Sequence, residues 1–168
     1  MRPITDLVIY EEDLSRINAC LSALQRKARS AAVLLIDTSG QLIASAGETD
    51  ALDTTPLASL AAGSVAAAGA LAQLLGEKEF SFVFYDGERK RLHLSLIGGR
   101  AILLVLLDQN SAVALVRLQV RKFSREIEEI LTALSKRPDQ VAGKGSPLSK
   151  PNIGEITDDD VENLFGKG

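Results

Sequence analysis

The chain has 168 residues, 46% of them hydrophobic and 24% charged, a balance that suits one globular domain with an appended tail. Its net charge of −3 gives no reason to expect nucleic acid, whose phosphates demand clustered positive charge. A single cysteine excludes an internal disulfide framework and makes the reducing cytosol the default compartment.

The amino terminus carries Asp6, Glu11, Glu12 and Asp13 and does not read as a signal peptide. From Glu11 to Arg29, Leu14, Ile17, Leu21, Leu24 and Ala28 recur at steps of three and four, which predicts a helix. Acids in its first turn and Arg26, Lys27 and Arg29 in its last suit the helix dipole. Cys20, beside the apolar stripe, reads as a small buried thiol, because no basic group is arranged to depress its pKa. Two short apolar runs, 31–36 and 41–46, then flank Asp37-Thr38-Ser39-Gly40 and predict a hairpin.

The next segment is unusually bare: in "AAGSVAAAGA", residues 61–70, every side chain but Val65 is alanine, glycine or serine. Pro56 suits a first helical turn, Thr54 or Thr55 can cap it, and Gly76 can close the helix in the left-handed conformation. Leu57, Leu60, Ser64, Ala68, Leu71 and Leu75 fall at helical spacing and predict one stripe of a helix about twenty residues long. On the other face Ala62, Ala66 and Ala70 follow at four-residue steps beside Gly63, Gly69 and Gln73. A solvent-facing helix normally carries Lys and Glu. The stripped face therefore suits close approach by a second copy or by a distinct partner, and the two readings are compatible.

Three further strands are expected near 80–85, 90–97 and 101–107, separated by Asp86-Gly87 and Gly98-Gly99. Phe80, Phe82 and Phe84 are expected on one face of the first, an edge strand whose apolar surface invites pairing with a second copy. In the second, Leu92, Leu94 and Leu96 alternate with Arg91, His93 and Ser95. The third, "AILLVLL", is apolar on both sides and so central; it is the longest uninterrupted apolar run and too short to span a bilayer. A last helix runs from Ser111 to Arg137, with Asn110 or Ser111 as its cap and Val116, Val120, Phe123, Ile127, Ile130 and Leu134 as its buried face. Arg117, Arg121 and Arg125 form a basic stripe opposite, expected as a solvated face partly paired with Glu128 and Glu129.

Residues 137–154 are rich in proline and glycine and read as a linker, and 155–168 as a tail. In "TDDDVENLF", Thr157 can cap a short helix whose apolar face is Val161, Leu164 and Phe165, suited to docking in a groove; a solubilising acidic end is the alternative. No catalytic constellation emerges. His93 is the only histidine and reads as a surface or packing residue, no phosphate-binding "GxxxxGK[ST]" is present, and Asp158 to Asp160 lack the spaced ligands of a calcium loop. No cofactor or metal is expected.

The order helix, two strands, helix, three strands, helix argues for an α+β sandwich with one sheet between helices. That order, with "DTSGQLIASAG", "DTTPLASLAAGSVAAAGALAQLLGE" and "AVALVRLQVRK", resembles the Roadblock/LC7 family over residues 5–136. "LVIYEEDLSRINA" and "ITDDDVENLF" are similar to its bacterial gliding-motility branch, the MglB-like proteins. The resemblance implies a profilin-like five-stranded antiparallel sheet and homodimers joined through third strands and second helices. It also implies a Ras-like small GTPase of the MglA type, one per dimer, bound across the paired second helices. Carried onto this sequence, Ala66 and Ala70 fall at the GTPase contact; from the pattern of the residues Ala62, Gly63 and Gln73 lie beside them, and Gly69, Phe80, Phe82 and Phe84 are the candidates for the dimer contact. In such proteins the dimer activates hydrolysis without inserting an arginine; it repositions the GTPase's own catalytic residues. A non-catalytic scaffold holding a GTPase or motor component is the alternative. The implied setting is cell polarity or motility, in the cytoplasm with enrichment at a pole.

Overall fold

The computed structural model describes residues 8–137. Apart from Arg137, the linker and the tail, with Val161, Leu164 and Phe165, lie outside the described residues.

Helix α1 spans Glu11–Ala28 and is followed by β1 (Ala32–Asp37) and β2 (Leu42–Gly47). The hairpin between them is held by one carboxylate: Asp37 Oδ1 accepts from the Ser39 amide at 3.0 Å, the Ser39 hydroxyl at 2.6 Å and the Gln41 amide at 2.8 Å. Gly40 supplies the positive φ of +91° that the turn requires. After α2 (Thr54–Leu74) come β3 (Val83–Asp86), β4 (Lys90–Ile97), β5 (Ala101–Asp108) and α3 (Val113–Lys136). The strands form one antiparallel sheet in the order β2-β1-β5-β4-β3.

This is the expected sandwich. The wholly apolar β5 lies at the centre, and alternate residues of it feed two cores. Leu103, Val105 and Leu107 join Ile17, Leu21, Leu24, Phe123, Ile127 and Ile130 beneath α1 and α3. Ile102, Leu104 and Leu106 join Leu34, Ile36 and Leu94 beneath α2. Helices α1 and α3 run antiparallel, because Arg137 reaches Asp13 at 2.9 Å while Lys27 lies over the Phe123 ring. Asp13 is buried, and this ion pair clasps the end of α3 to the start of α1.

Several local expectations differ from the structure. Helix α2 begins one residue after Asp53, with Thr54 and Thr55 inside it, and no side chain caps it. Ala112 precedes α3, likewise uncapped by a side chain; Ser111 instead turns back on the Asp108 carbonyl through its amide at 3.1 Å. The first strand of the meander starts at Val83, not 80, because the chain arriving from α2 pairs with β4 only from the Val83–Leu94 register onward. Of the three phenylalanines only Phe84 therefore lies in the strand. The basic stripe of α3 is not paired with Glu128 or Glu129: ion pairs among the described residues join Lys90 to Asp108, Arg91 to Asp86 and Arg137 to Asp13.

Candidate functional site

The largest departure from sequence expectation concerns which way α2 faces. Leu57, Leu60, Leu71 and Leu75 formed the expected stripe, but the residues sealed against the sheet are Ala58, Ala61 and Ala72, with Leu57, Ala62 and Val65 partly buried beside them. Leu60 is 72% exposed, Leu74 83%, and Leu71 and Leu75 also face out. The physical reason lies in the strands beneath. Leu34, Ile36, Leu94, Ile102 and Leu104 already supply the bulk, so only small residues let the helix axis settle onto them.

The outward surface carries no charge, for none occurs between Asp53 and Glu77. It comprises Leu60, Gly63, Ala66, Ala67, Ala70, Leu71, Gln73 and Leu74, all exposed. Of the residues assigned to GTPase contact, Gly63, Ala66, Ala70 and Gln73 therefore lie together in the open, with Ala62 half-buried at their flank. Gly63 and Gly69 are informative. A Cβ built at either meets nothing within 4 Å, so the fold itself does not require glycine there. Each costs a helix about 1 kcal/mol relative to alanine. A Schellman turn ends the helix as expected: Gly76 adopts φ +75°, its amide donates to Gln73 O at 3.2 Å, and the Glu77 amide donates to Ala72 O at 2.9 Å.

Beside this surface runs the open edge strand β3. The Ser64 hydroxyl of α2 hydrogen-bonds the Tyr85 hydroxyl of β3, tying helix to edge. Leu60 and Leu71, one and two turns from Ser64, share its flank. The exposed leucines thus line the side of α2 nearest β3, where Tyr85 is also exposed. Gly69, about 140° round the helix from Ser64, lies on the other flank and is half-buried. Phe82 and Phe84 turn to the opposite sheet face, toward α3, and Phe80 is exposed ahead of the strand. By length and composition α2 would pass for a membrane-crossing helix; its sheet contacts make it a layer of this fold.

One arrangement had no signal in the sequence. His93, only 2% exposed, stacks on Phe82 at 5.1 Å between ring centroids, and the Arg117 guanidinium lies 4.2 Å over that same Phe82 ring. Burial, and secondarily the Arg117 charge, hold the imidazole down at about 4, and its Nδ1 has no hydrogen-bond partner. His93 is thus a packing residue, neutral at physiological pH. Cys20 is buried between α1 and α3, and desolvation, reinforced by Glu126, pushes its thiol up to about 12, which makes it unreactive.

One antiparallel sheet with a pair of helices on one face and a single uncharged helix on the other, beside an open edge strand, defines the class of the fold. The Roadblock/LC7 domain profile matches residues 16–107, and the chain belongs to that family. Among solved structures it is similar to Myxococcus xanthus MglB, with 45% identity and a TM-score of 0.73 over 79% of this chain and 100% of that one. It is also similar to the gliding protein MglB of Thermus thermophilus, at 30% identity and a TM-score of 0.71 over 79% and 99% of the two chains. A Roadblock/LC7 domain from Streptomyces avermitilis shares the fold at 17% identity and a TM-score of 0.64, over 68% of this chain and 97% of that one. Among curated proteins, none matches the chain.

Proposed function

We propose that the protein is a homodimeric activator of a Ras-like small GTPase of the MglA type, serving cell polarity or motility. The observation that carries this is the uncharged outer face of α2, where Gly63, a glycine without an internal role, sits among alanines and exposed leucines. A contiguous apolar surface of this kind marks a contact site. The likeness to MglB proteins supports the choice of partner. The two copies join along β3, with Leu60, Leu71 and Tyr85 as the apolar strip beside the joining edges. The GTPase then lies across the small-residue faces around Ala66 and Ala70. No arginine occurs in α2, so this face offers no arginine finger. Stimulation therefore comes from preferential binding of the switch conformation in which the GTPase's own residues are aligned, which requires differential affinity for its two states.

GTP hydrolysis by an MglA-type GTPase, measured with and without saturating full-length protein, tests the reading. Activation supports it. Binding without any rise in turnover leaves the scaffold alternative instead. Ala66→Arg is expected to abolish binding while the thermal unfolding midpoint and dimer mass stay unchanged.

A further inference from the structure

The first half of α3 carries charge that its own helix does not explain. Between Val113 and Arg125 stand four exposed cations, Arg117, Arg121, Lys122 and Arg125, and no acid. Arg117, Arg121 and Arg125 repeat at four-residue steps, the spacing at which like charges repel along a helix. The acids Glu126, Glu128 and Glu129 fall in the second half, so the charge runs against the macrodipole, which favours negative groups toward the N-terminus. None of the four cations is in an ion pair among the described residues.

The antiparallel packing adds to this end. It brings the close of α1, with exposed Arg26, Lys27 and Arg29, beside the opening of α3. The Lys27 and Lys122 ammonium groups each lie over the Phe123 ring, 5.5 and 5.8 Å from its centroid. Leu118 protrudes among the cations, 64% exposed. A chain of net charge −3 thus gathers seven cations and a bare leucine at one end of its two-helix face, against the exposed acids Glu48 and Asp108 at that end of the sheet, the latter paired with Lys90.

We infer that this end of the α1/α3 layer is a peripheral docking surface for an anionic phospholipid bilayer. Basic side chains around a protruding aliphatic one are the composition of a surface that rests in the headgroup region. Cationic clusters of this size are drawn to an anionic leaflet. Single-stranded nucleic acid would need exposed aromatic rings to stack on, and the aromatic ring here, Phe123, is buried. An acidic peptide would need a groove. The cavity between α1 and α3, about 250 Å³, begins beside Phe123 but runs away from the cations to Glu126, which lines it with Arg16, Cys20 and Ile130 and repels an acidic chain. The sheet separates this surface from α2, so a bilayer here leaves the uncharged face of α2 pointing away from it. The inference does not rest on the proposed GTPase activation.

Co-sedimentation of the full-length protein with vesicles of phosphatidylcholine, alone or mixed with phosphatidylglycerol, tests it. The protein should pellet with the mixed vesicles only, and at least about tenfold less when salt rises from about 0.1 to about 0.5 M. Arg121→Glu combined with Arg125→Glu should lower binding by at least about tenfold, whereas Arg89→Glu on the β3–β4 turn should leave it unchanged. Circular dichroism monitors folding of each variant; if the double variant unfolds, Leu118→Asp takes its place with the same expected loss. No binding to the mixed vesicles at low salt overturns the inference. So does equal binding to neutral vesicles, which would put the apolar face of α2 at the bilayer. Undiminished binding by the double variant, or capture of duplex DNA with no vesicle binding, overturns it as well.

Discussion

Helices α2 and α3 are of similar length, 21 and 24 residues, and each covers one face of the same sheet, yet they are held to it in different ways. Helix α3 buries Val116, Val120, Phe123, Ile127, Ile130, Leu131 and Leu134 and shows charge to solvent. Helix α2 buries three alanines and shows leucines. The first is a conventional amphipathic layer whose stability comes from its own domain. The second keeps most of its apolar surface outside, uncovered by the rest of the described residues. A helix's role is thus written in which of its faces carries the bulk.

Truncation breaks or sharpens this contrast most directly. Ile127→Ala, at a fully buried α3 position, should cost about 2–5 kcal/mol in urea unfolding, whereas Leu74→Ala on α2 should cost no more than about 0.5 kcal/mol. Equal losses would mean that α2 is anchored as α3 is. The next largest effect is in acid. The unfolded chain protonates His93 near 6.5 but the folded one only near 4, so the unfolded state binds more protons between these values. Stability from this group is therefore full above about pH 6.5 and falls as pH drops toward 4, by about 3 kcal/mol in total. His93→Phe, which preserves the stack on Phe82, should remove that component of the slope when unfolding is followed across the range. Smallest is Gly63→Ala. With open space around the new methyl, it should stabilise the isolated protein by up to about 1 kcal/mol while weakening whatever approaches the helix closely. A gain in both stability and partner affinity would show that the glycine serves no contact.

Much of the fold was legible because the patterns were clean. The alternation at Leu92, Leu94 and Leu96, the unbroken apolar run of β5 and the three-and-four spacing of α1 and α3 each distinguish one face from another, and all became the elements they suggest. The orientation of α2 was not legible, because alanine and leucine are both apolar and a helix uncharged all round offers no contrast to read. Which of them faces inward was decided by the bulk of β1, β4 and β5 beneath it. The start of β3 depended on where β4 begins to accept it. The His93–Phe82–Arg117 stack and the Asp13–Arg137 clasp join residues far apart in the chain, and no local spacing announces them.

The bond between Ser64 and Tyr85 ties the outer strand to the helix lying over it. By thermodynamic reciprocity, a visitor on one that tightens this tie must favour the companion on the other by the same factor.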